Sequence, residues 1–378
     1  MKVFLEPNES LLFRNGRPFD AGETTYAETM FPPTPETLQG VIRAMIATHW
    51  DTSKSLSEVF RPGSDLVKLI GDRNGYGRFR ITNISLGYCK KKDEGDVEEE
   101  IIERLYPVPA HILRDDKGRF RLKPKAKQEV LSNMPSGIQY LEPERGTKGK
   151  LQPIEGWLTE ESLHKALSAS EDLDLKVVEE EEMFEYEPRV GIGMENATKT
   201  TQEGLFYSMR MIRMRLGYGF VVDIRIIDES NPKQFIDDND TQKTLRLPQQ
   251  GWAILGGEQR AASFRVLGTS TPLLGHPKGK GQGSLIYLVT LASFKGGWKP
   301  EKWTDHYLPA PIAAAIPGYQ PIGGWKLRTE NSGGENKCMR RCVLAGSIYF
   351  FNAFVDVPRS LTDYDMEIGY GITATGEW

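Results

Sequence analysis

The 378-residue sequence has few cysteines and no long hydrophobic run, and both deficits exclude classes of protein. Its three cysteines (Cys89, Cys338 and Cys342) are too few for a disulfide framework, and their odd number is typical of a reducing compartment. No apolar stretch approaches the ~20 residues needed to span a bilayer, and the start MKVFLEPNES lacks a signal-peptide core. We therefore expect a cytoplasmic protein without membrane contact.

Local motifs of several enzyme classes are also missing. The sequence has no HExxH motif, no G-x-S-x-G elbow and no complete Walker A or dinucleotide-binding loop. The five histidines are scattered, and Cys338 and Cys342 have no second cysteine pair for zinc. The segment Asp237-Asp238-Asn239-Asp240 lacks the glycine and glutamate of an EF-hand loop, so we interpret it as an exposed loop. We expect no metal and no cofactor. A metal-independent ribonuclease that uses one histidine needs no local motif and stays open.

The composition is that of an ordinary globular protein. Hydrophobic residues make up 39% and charged residues 26%, and 38 glycines with 23 prolines favour β-rich units with many turns. The 48 Lys and Arg against 52 Asp and Glu give a net charge of −4, which argues against coating of nucleic acid by bulk charge. Local basic grooves remain compatible with this balance.

One helix is clearly predicted after FPPT. Thr34 is a candidate N-cap, and Pro35 suits the first helical position, where its missing N–H costs nothing. The apolar residues that follow have the spacing of one buried stripe: Leu38, Val41, Ile42, Met45 and Ile46. This helix therefore packs on a sheet or core.

The order of predicted elements indicates an α+β fold. A strand at 3–5, the helix, a hairpin within 190–227, a second helix at 245–255 and a strand at 262–266 follow the βαββαβ plan. We predict two ferredoxin-like (RRM-like) domains in tandem with large insertions. The first covers residues 1–268 and carries a long insertion at about 51–185. The second, degenerate unit covers residues 269–378.

Within the predicted insertion, KGRFRLKPKAK places a basic residue at every second position. On an extended segment this spacing puts all these charges on one face, and it leaves two interpretations open: a solvated strand or a phosphate-binding ribbon. The basic residues are Lys117, Arg119, Arg121, Lys123, Lys125 and Lys127.

Arginines and glycines also recur beside the predicted sheet edges. Guanidinium groups bind phosphates in a bidentate manner, and exposed glycine N–H groups allow close approach of a backbone, so such a cluster suits single-stranded RNA. The opening of the first helix would add the positive end of its dipole. Arg260 follows paired glycines, and the other arginines lie in the hairpin or before the last apolar strand: Arg210, Arg213, Arg215, Arg340 and Arg341.

Five ordered sequence blocks, spread from residue 5 to residue 355, resemble a known family. They are LLFRNGRPFDAGE, FPPTPETLQGVIRAMI, EPRVGIGMENATKTTQEGLFYSMRM, LGGEQRAASF, and IGGWKL with MRRCVLAGSIYFF. Together they resemble the RAMP superfamily and, more narrowly, the third subunit of the Cmr module of type III-B CRISPR effector complexes. The region 51–185 has no counterpart in this resemblance.

The resemblance implies a non-enzymatic role in antiviral defence. The protein would cap the 5′ handle of the crRNA together with a backbone RAMP subunit, and would dock the large polymerase-domain subunit. Residues 198–204 would lie at the tip of a thumb-like hairpin. The family's glycine-rich loop corresponds to Gly256, Gly257, Glu258 and Arg260, and its N-terminal turn to Arg14, Gly16, Arg17 and Phe19.

We expect arginines, lysines and backbone N–H groups to hold the RNA phosphates, and unstacked bases to rest on Tyr207 or Tyr218. The acidic residues 179–182 would repel non-specific nucleic acid or meet basic partners. The predicted RNA-binding residues are Arg14, Arg17, Arg43, Lys199, Arg210, Arg213, Arg215, Gly256, Gly257, Arg260, Arg340 and Arg341.

Two other functions stay open. The chain could be a metal-independent repeat-RNA processing endoribonuclease of the same superfamily, with a histidine as general base near the RNA. It could also be a purely protein-binding subunit whose arginines pair with partner carboxylates.

Overall fold

A computed structural model shows a mixed α/β chain, rich in sheet and with few helices. The structure describes residues 1–14, 25–51, 53, 55–72, 75–94, 97–125, 135–170, 172–256, 259–268, 281–327 and 334–378. Its α-helices are α1 Pro35–Trp50, α2 Leu56–Val59, α3 Asp65–Ile70, α4 Glu160–Leu167, α5 Glu180–Met183 and α6 Asp238–Leu245, and its 3₁₀ helices are Trp303–His306 and Met366–Ile368. Within these ranges, no helix has both the length and the apolar character needed to cross a membrane.

The strands outnumber the helices and form several sheets. In chain order they are β1 Lys2–Pro7, β2 Tyr26–Glu28, β3 Phe79–Glu94, β4 Val97–Pro107, β5 Ile112–Asp115, β6 Gly118–Lys125, β7 Tyr140–Pro143, β8 Gln152–Pro153, β9 Trp157–Thr159, β10 Val177–Val178, β11 Phe184–Met194, β12 Thr201–Met214, β13 Tyr218–Ile226, β14 Gln250–Leu255, β15 Arg260–Val266, β16 Ser284–Leu288, β17 Ala292–Ser293, β18 Ala313–Ala315, β19 Tyr319–Ile322, β20 Trp325–Leu327, β21 Gly334–Asn336, β22 Arg340–Val343, β23 Ile348–Phe350 and β24 Thr373–Glu377.

Helix α1 confirms the prediction from its capping signal and apolar stripe. The Thr34 side chain accepts a hydrogen bond from the backbone N–H of Thr37 at 3.3 Å, and Pro35 is the first helical residue. The predicted stripe is buried in the main hydrophobic core: Leu38, Val41, Ile42, Met45 and Ile46. Burial of this stripe fixes α1 on the sheet.

The main sheet has eight strands in the order β10-β9-β4-β3-β13-β1-β15-β14, and its neighbouring pairs are antiparallel. Strand β1 lies near the middle, with Val3 opposite Val222 and Leu5 opposite Phe220. These four side chains belong to the main core. The βαββαβ order is found along the chain in the elements β1, α1, β3, β13, α6 and β15. The four strands of this set are adjacent in the main sheet, in the order β3-β13-β1-β15.

The predicted helix at 245–255 is wrong. Helix α6 ends at Leu245, and residues 250–255 form the edge strand β14. Pro248 prevents continuation of the helix, and the following residues alternate between exposed and buried, which is the period of a strand. The exposed-loop interpretation of residues 237–240 is also wrong, because the Asp237 side chain caps α6 by accepting a hydrogen bond from the N–H of Asp240 at 2.7 Å.

The predicted long hairpin exists, but its place in the fold is different. Strands β11 and β12 pair from Phe184 opposite Met214 to Met194 opposite Thr201. They form a separate three-stranded sheet with β2, in the order β11-β12-β2, outside the main sheet. The strand that accompanies β13 in the main sheet is β3. Strand β11 has exposed residues on both faces, which is incompatible with a central position.

The region 51–185 is not wholly an excursion from the fold. Its strands β3, β4, β9 and β10 belong to the main sheet, so the interpretation of the acidic run 93–104 as a surface insertion is wrong for the part that forms β4. The apolar half of β3 is followed by a charged half, which hides the strand in the sequence. Strands β5 to β8 form a small separate sheet in the order β7-β6-β5-β8.

The C-terminal part consists of sheets, in the orders β18-β23-β16-β24, β17-β22-β19 and β20-β21. Residues 281–327 and 334–378 contain no α-helix, so the helices of a second βαββαβ unit are not seen there. The Tyr287 hydroxyl donates a hydrogen bond to the Pro107 carbonyl at 2.7 Å, and Phe350 and Trp378 share one hydrophobic core with Val3. The division of the chain at residue 268 stays a prediction.

Candidate functional site

The segment of residues 8–14, which follows β1, contacts two of the predicted binding elements. Leu11 and Ile212 exchange backbone hydrogen bonds of 2.6 and 2.9 Å, which attaches the segment to the hairpin strand β12. At its start, Asn8 donates its N–H to the Ala261 carbonyl at 3.0 Å and accepts a bond from the Ser263 N–H. The hairpin and the β14–β15 turn therefore meet at segment 8–14.

The glycine-rich turn between β14 and β15 lies against the same segment. Gly256 has a φ of +78°, and a Cβ at this position would lie 3.5 Å from the Phe13 ring. Arg260 lies 3.6 Å from the Glu9 carboxylate, and its Nε is buried without a hydrogen-bond partner in the described part of the chain. Several predicted residues of the loop and of the N-terminal turn fall outside the described residues: Gly16, Arg17, Phe19, Gly257 and Glu258.

The three predicted arginines of the hairpin all have partners within the protein. The Arg210 guanidinium lies 2.9 Å from the Glu28 carboxylate and 3.5 Å from the centre of the Tyr186 ring. Arg213 forms an ion pair of 2.6 Å with Glu187. The Nε of Arg215 donates to the backbone carbonyl of residue 181 at 2.8 Å. This surface is locally balanced in charge rather than uniformly electropositive.

Glu187 and Arg189 are site residues that the sequence interpretation missed. Glu187 binds Arg189 through a hydrogen bond of 2.7 Å and also binds Arg213. Hydrogen bonds from Arg189 and then Arg213 hold the pKa of Glu187 below its usual range. Arg189 also donates to the Ser10 hydroxyl at 3.1 Å, which joins the hairpin to segment 8–14. The sequence signal was the spacing in Glu-Pro-Arg, because residues two apart on a strand share a face.

One face of the hairpin exposes apolar side chains, and we call it the hairpin apolar face. Ile192 lies opposite Phe206, and Val190 shares the next row with Ser208 and Tyr26. The exposed fractions are 66% for Val190, 50% for Ile192 and 53% for Phe206. Contiguous exposed apolar residues of this kind mark interaction sites.

The two tyrosines predicted to stack on bases lie in different places. The Tyr207 ring crosses Gly191 on the opposite strand, where a Cβ would lie 2.1 Å from the ring, and it is 37% exposed. Tyr218 begins β13 of the main sheet and lies against Tyr88, with 4.5 Å between ring centres. Tyr207 is thus part of the hairpin and Tyr218 is not. Lys199 is exposed in the turn of the hairpin.

The remaining predicted residues belong to other contacts. Arg340 pairs with Asp365 and lies 4.1 Å from the Tyr364 ring centre, and Arg341 lies over the Tyr319 ring. Their strand β22 approaches the site at Cys342, because Met30, whose N–H donates to the Phe13 carbonyl, packs on the cluster that contains Cys342. Arg43 donates to the Gly71 carbonyl at 2.9 Å, in a contact between α1 and the end of α3.

The opening of α1, predicted to face RNA, is occupied by protein. Glu36 in its first turn pairs with Lys337, and Gly324 lies beside both side chains. The sequence blocks around residues 324 and 340 therefore do approach α1. Within the described ranges, no group of three His, Cys, Asp or Glu residues is placed to hold a metal ion.

Comparisons with known proteins give one family. A family described as CRISPR-associated protein (Cas_Cmr3) matches residues 3–378. No curated protein matches the chain. A chain of the cryo-EM structure of the type III-B Cmr-beta bound to cognate target RNA and AMPPnP, state 1, is 16% identical with a TM-score of 0.46. A chain of the same assembly bound to cognate target RNA is 15% identical with a TM-score of 0.43, and each match covers 92% of this chain and 86% of the other.

Proposed function

Since the chain belongs to the CRISPR-associated Cas_Cmr3 family, we propose that it is a non-catalytic RNA-binding and scaffold subunit of a type III-B Cmr effector complex. It recognises and caps the 5′ handle of the crRNA and contacts the backbone RAMP subunit and the large polymerase-domain subunit. The adjacent strands β3, β13, β1 and β15 form its first ferredoxin-like unit.

The convergence on segment 8–14 is the observation that carries the proposal. From the hairpin, Arg189 contacts this segment at Ser10, and Glu187 joins Arg189 to Arg213. From the β14–β15 turn, Arg260 lies near Glu9 and Gly256 lies near Phe13. Guanidinium groups close to an accessible glycine backbone suit a single RNA strand. On RNA binding, the carboxylates that hold these arginines give way to phosphodiester groups, which also carry a negative charge and accept bidentate bonds from guanidinium groups.

Fluorescence anisotropy of the full chain with labelled handle RNA tests this site. Arg213→Ala and Arg260→Ala should each weaken binding about tenfold, because each removes a charge-assisted contact. Arg61→Ala, an exposed arginine outside the site, is the matched control and should leave the affinity unchanged. Unchanged affinity in both site variants would contradict the assignment.

A variant that is expected to increase RNA affinity complements these two. Glu187→Gln removes the carboxylate shared by Arg189 and Arg213, so both guanidinium groups become available to phosphates. We expect tighter RNA binding and a steeper fall of log affinity with log salt, because more phosphate contacts form. A purely protein-binding site predicts no RNA binding in either the natural chain or this variant.

The hairpin apolar face suits a protein partner, and we assign it to the backbone RAMP subunit. Its apolar side chains cannot form hydrogen bonds with a phosphate, and their burial favours protein association. Val190→Asp with Phe206→Ser should reduce co-purification of the backbone subunit while handle RNA still binds. Leu216→Ser is the control, because Leu216 is 92% exposed as a single residue of the β12–β13 turn.

A second exposed surface suits the large polymerase-domain subunit. Arg341 lies over Tyr319, which is 59% exposed, and Met339 nearby on the chain is 54% exposed. Aromatic, Met and Arg side chains are enriched in protein interfaces. Tyr319→Ser with Arg341→Glu should lower co-precipitation of the large subunit and leave handle affinity unchanged. Retained co-precipitation would contradict this surface.

We propose that the chain binds RNA and does not cleave it. His111 is buried, His49 bonds the Met45 carbonyl within α1, and His306 bonds Asp363 in the C-terminal part. His164 lies in α4 of the predicted insertion, and His276 falls outside the described residues. The purified chain, incubated with precursor repeat RNA without metal, should give no discrete cleavage product. A discrete product would favour the endoribonuclease.

A further inference from the structure

The small sheet of β5 to β8 has a charge opposite to that of the whole chain. Residues 112–125 and 135–153 contain nine Lys and Arg against four Asp and Glu, a net charge of +5 in a chain of net charge −4. Such local asymmetry attracts polyanions although the total charge is negative. This sheet lies within the region for which neither the resemblance nor the proposed function provides a role.

The basic residues of β6 do not form the phosphate-binding ribbon. Arg121 is 4% exposed and donates to the Lys165 carbonyl at 2.9 Å, and Arg119 donates to the Leu175 carbonyl at 2.6 Å. Lys123 and Lys125 pair with carboxylates of the neighbouring segment. The regularly spaced basic residues of β6 thus bond neighbouring parts of the protein. Lys127 falls outside the described residues.

Other cations of this sheet are exposed at one end, and we call them the lysine patch: Arg114, Lys117, Lys148 and Lys150. Within the described residues, none of the four has a carboxylate oxygen within 4.0 Å. Lys117 donates to the carbonyl of Gly146 at 3.1 Å, a contact that leaves its charge unbalanced. The patch therefore retains positive charge.

The backbone beneath the patch is firmly held. Asp115 accepts hydrogen bonds from the Arg145 guanidinium at 2.8 and 3.0 Å and from the backbone N–H groups of Lys117 and Lys148. The Arg145 hydrogen bonds hold the pKa of Asp115 well below its usual range, so this carboxylate stays charged and bound to Arg145. The remaining acid, Asp116, lies over Gly149 at the same turn. Within residues 114–117 and 145–151, Asp116 is thus the one exposed carboxylate beside four exposed cations.

A cleft of about 550 Å³ bounds the patch on one side. Arg114, Arg119 and Lys150 line one part of it, and Glu155 with residues 179–181 lines another. The acidic part repels phosphates, so a polyanion would lie on the outer side, over Lys117 and Lys148. The cleft therefore defines an edge of the patch and not its centre.

We propose that the lysine patch binds the phosphodiester backbone of a nucleic-acid strand, as a second contact separate from the handle site. Lysines are depleted in protein interfaces, where aromatic anchors dominate, and the two turns that carry the patch, residues 114–119 and 145–150, contain no aromatic residue. Lysine is a point charge on a flexible stem, which suits sequence-independent contact with successive phosphates. An acidic partner protein is the competing occupant.

Salt titration of RNA binding by the full chain tests the patch. The probe is labelled oligouridylate, which lacks the handle sequence, and the variant is Lys117→Gln with Lys148→Gln and Lys150→Gln. Three lost phosphate contacts should lower the slope of log affinity against log salt by roughly 2 for a single strand. At low salt the affinity should fall by roughly tenfold or more. Replacing the same lysines by arginine should preserve both quantities.

A second triple variant controls for total charge. Lys68→Gln with Lys243→Gln and Lys302→Gln removes three lysines that are exposed elsewhere on the chain, and should leave the slope unchanged. Equal losses in both triple variants, or no loss in the patch variant, would overturn the proposal. Unchanged RNA binding with loss of an acidic subunit from the assembled complex would identify the competing occupant instead.

The two binding proposals can fail separately. The ratio of handle affinity to oligouridylate affinity reports handle recognition, and the patch variant should not change it. A ratio of one in the natural chain would contradict handle recognition and leave the lysine patch in place.

Discussion

Arg104 on β4 donates two hydrogen bonds to the Asp223 carboxylate on β13, at 2.6 and 2.7 Å, across the strand that lies between them. Their side chains are 4% and 2% exposed, respectively. Because β4 lies in the region predicted as an insertion, this pair fastens that region to the middle of the main sheet. Burial of the pair makes it sensitive to loss of either partner.

Asp223→Asn should therefore destabilise the protein by about 3–5 kcal/mol, because it leaves the Arg104 charge buried and unpaired. Chemical denaturation measures the free energy of unfolding. Glu229→Gln breaks the partly exposed pair with Arg78 and is the control, with an expected cost below about 1 kcal/mol. A similar small cost for Asp223→Asn would mean that the ion pair does not hold the two strands.

His111 should make stability depend on pH. Burial, followed by the nearby Arg121 charge, lowers its pKa to about 3. The unfolded chain takes up a proton near pH 6.5 and the folded protein does not, so stability is fully present above this pH and is lost as the pH falls toward 3. The slope reaches about 1.4 kcal/mol per pH unit. Denaturation at several pH values should show this slope removed by His111→Leu but retained in His164→Gln, which alters an exposed histidine.

Arg43 should matter for stability rather than for RNA. Its guanidinium bonds the Gly71 carbonyl, and burial lowers its pKa. Arg43→Met should cost about 1 kcal/mol of unfolding free energy through the lost hydrogen bond, with handle affinity unchanged. Arg213→Ala should instead lower the handle affinity and leave the unfolding free energy nearly unchanged. Loss of RNA binding in a stable Arg43→Met protein would support a direct contact of Arg43 with RNA.

The two C-terminal cysteines should differ in reactivity. Burial raises the pKa of the Cys342 thiol to about 11, whereas Cys338 is exposed. Since the thiolate is the nucleophile, iodoacetamide should alkylate Cys338 in the folded protein and spare Cys342, as read by peptide mass mapping. In denaturant both should react. Fast labelling of Cys342 in the folded protein would show that β22 opens.

Predictions from the sequence succeeded where one local signal decided the structure. Helix α1 has a cap, a proline and a regular apolar stripe, all within a few turns. Strand β3 could not be identified, because its second half is charged and its partner β13 is distant in sequence. At the site, arginine positions could be found by residue type. Their pairing with Glu28 and Glu187 could not, because it depends on strand register.

The hydrophobic core shared by the N-terminal and C-terminal parts has a consequence for thermal unfolding. Val3 shares this core with Phe350 and Trp378, and the Tyr287–Pro107 hydrogen bond also joins the N-terminal and C-terminal parts, so the two parts should unfold together. Calorimetry should then record a single cooperative endotherm instead of two resolved peaks. Phe350→Ala, which leaves a cavity in this shared core, should therefore lower the melting temperature of the whole chain and not that of the C-terminal part alone.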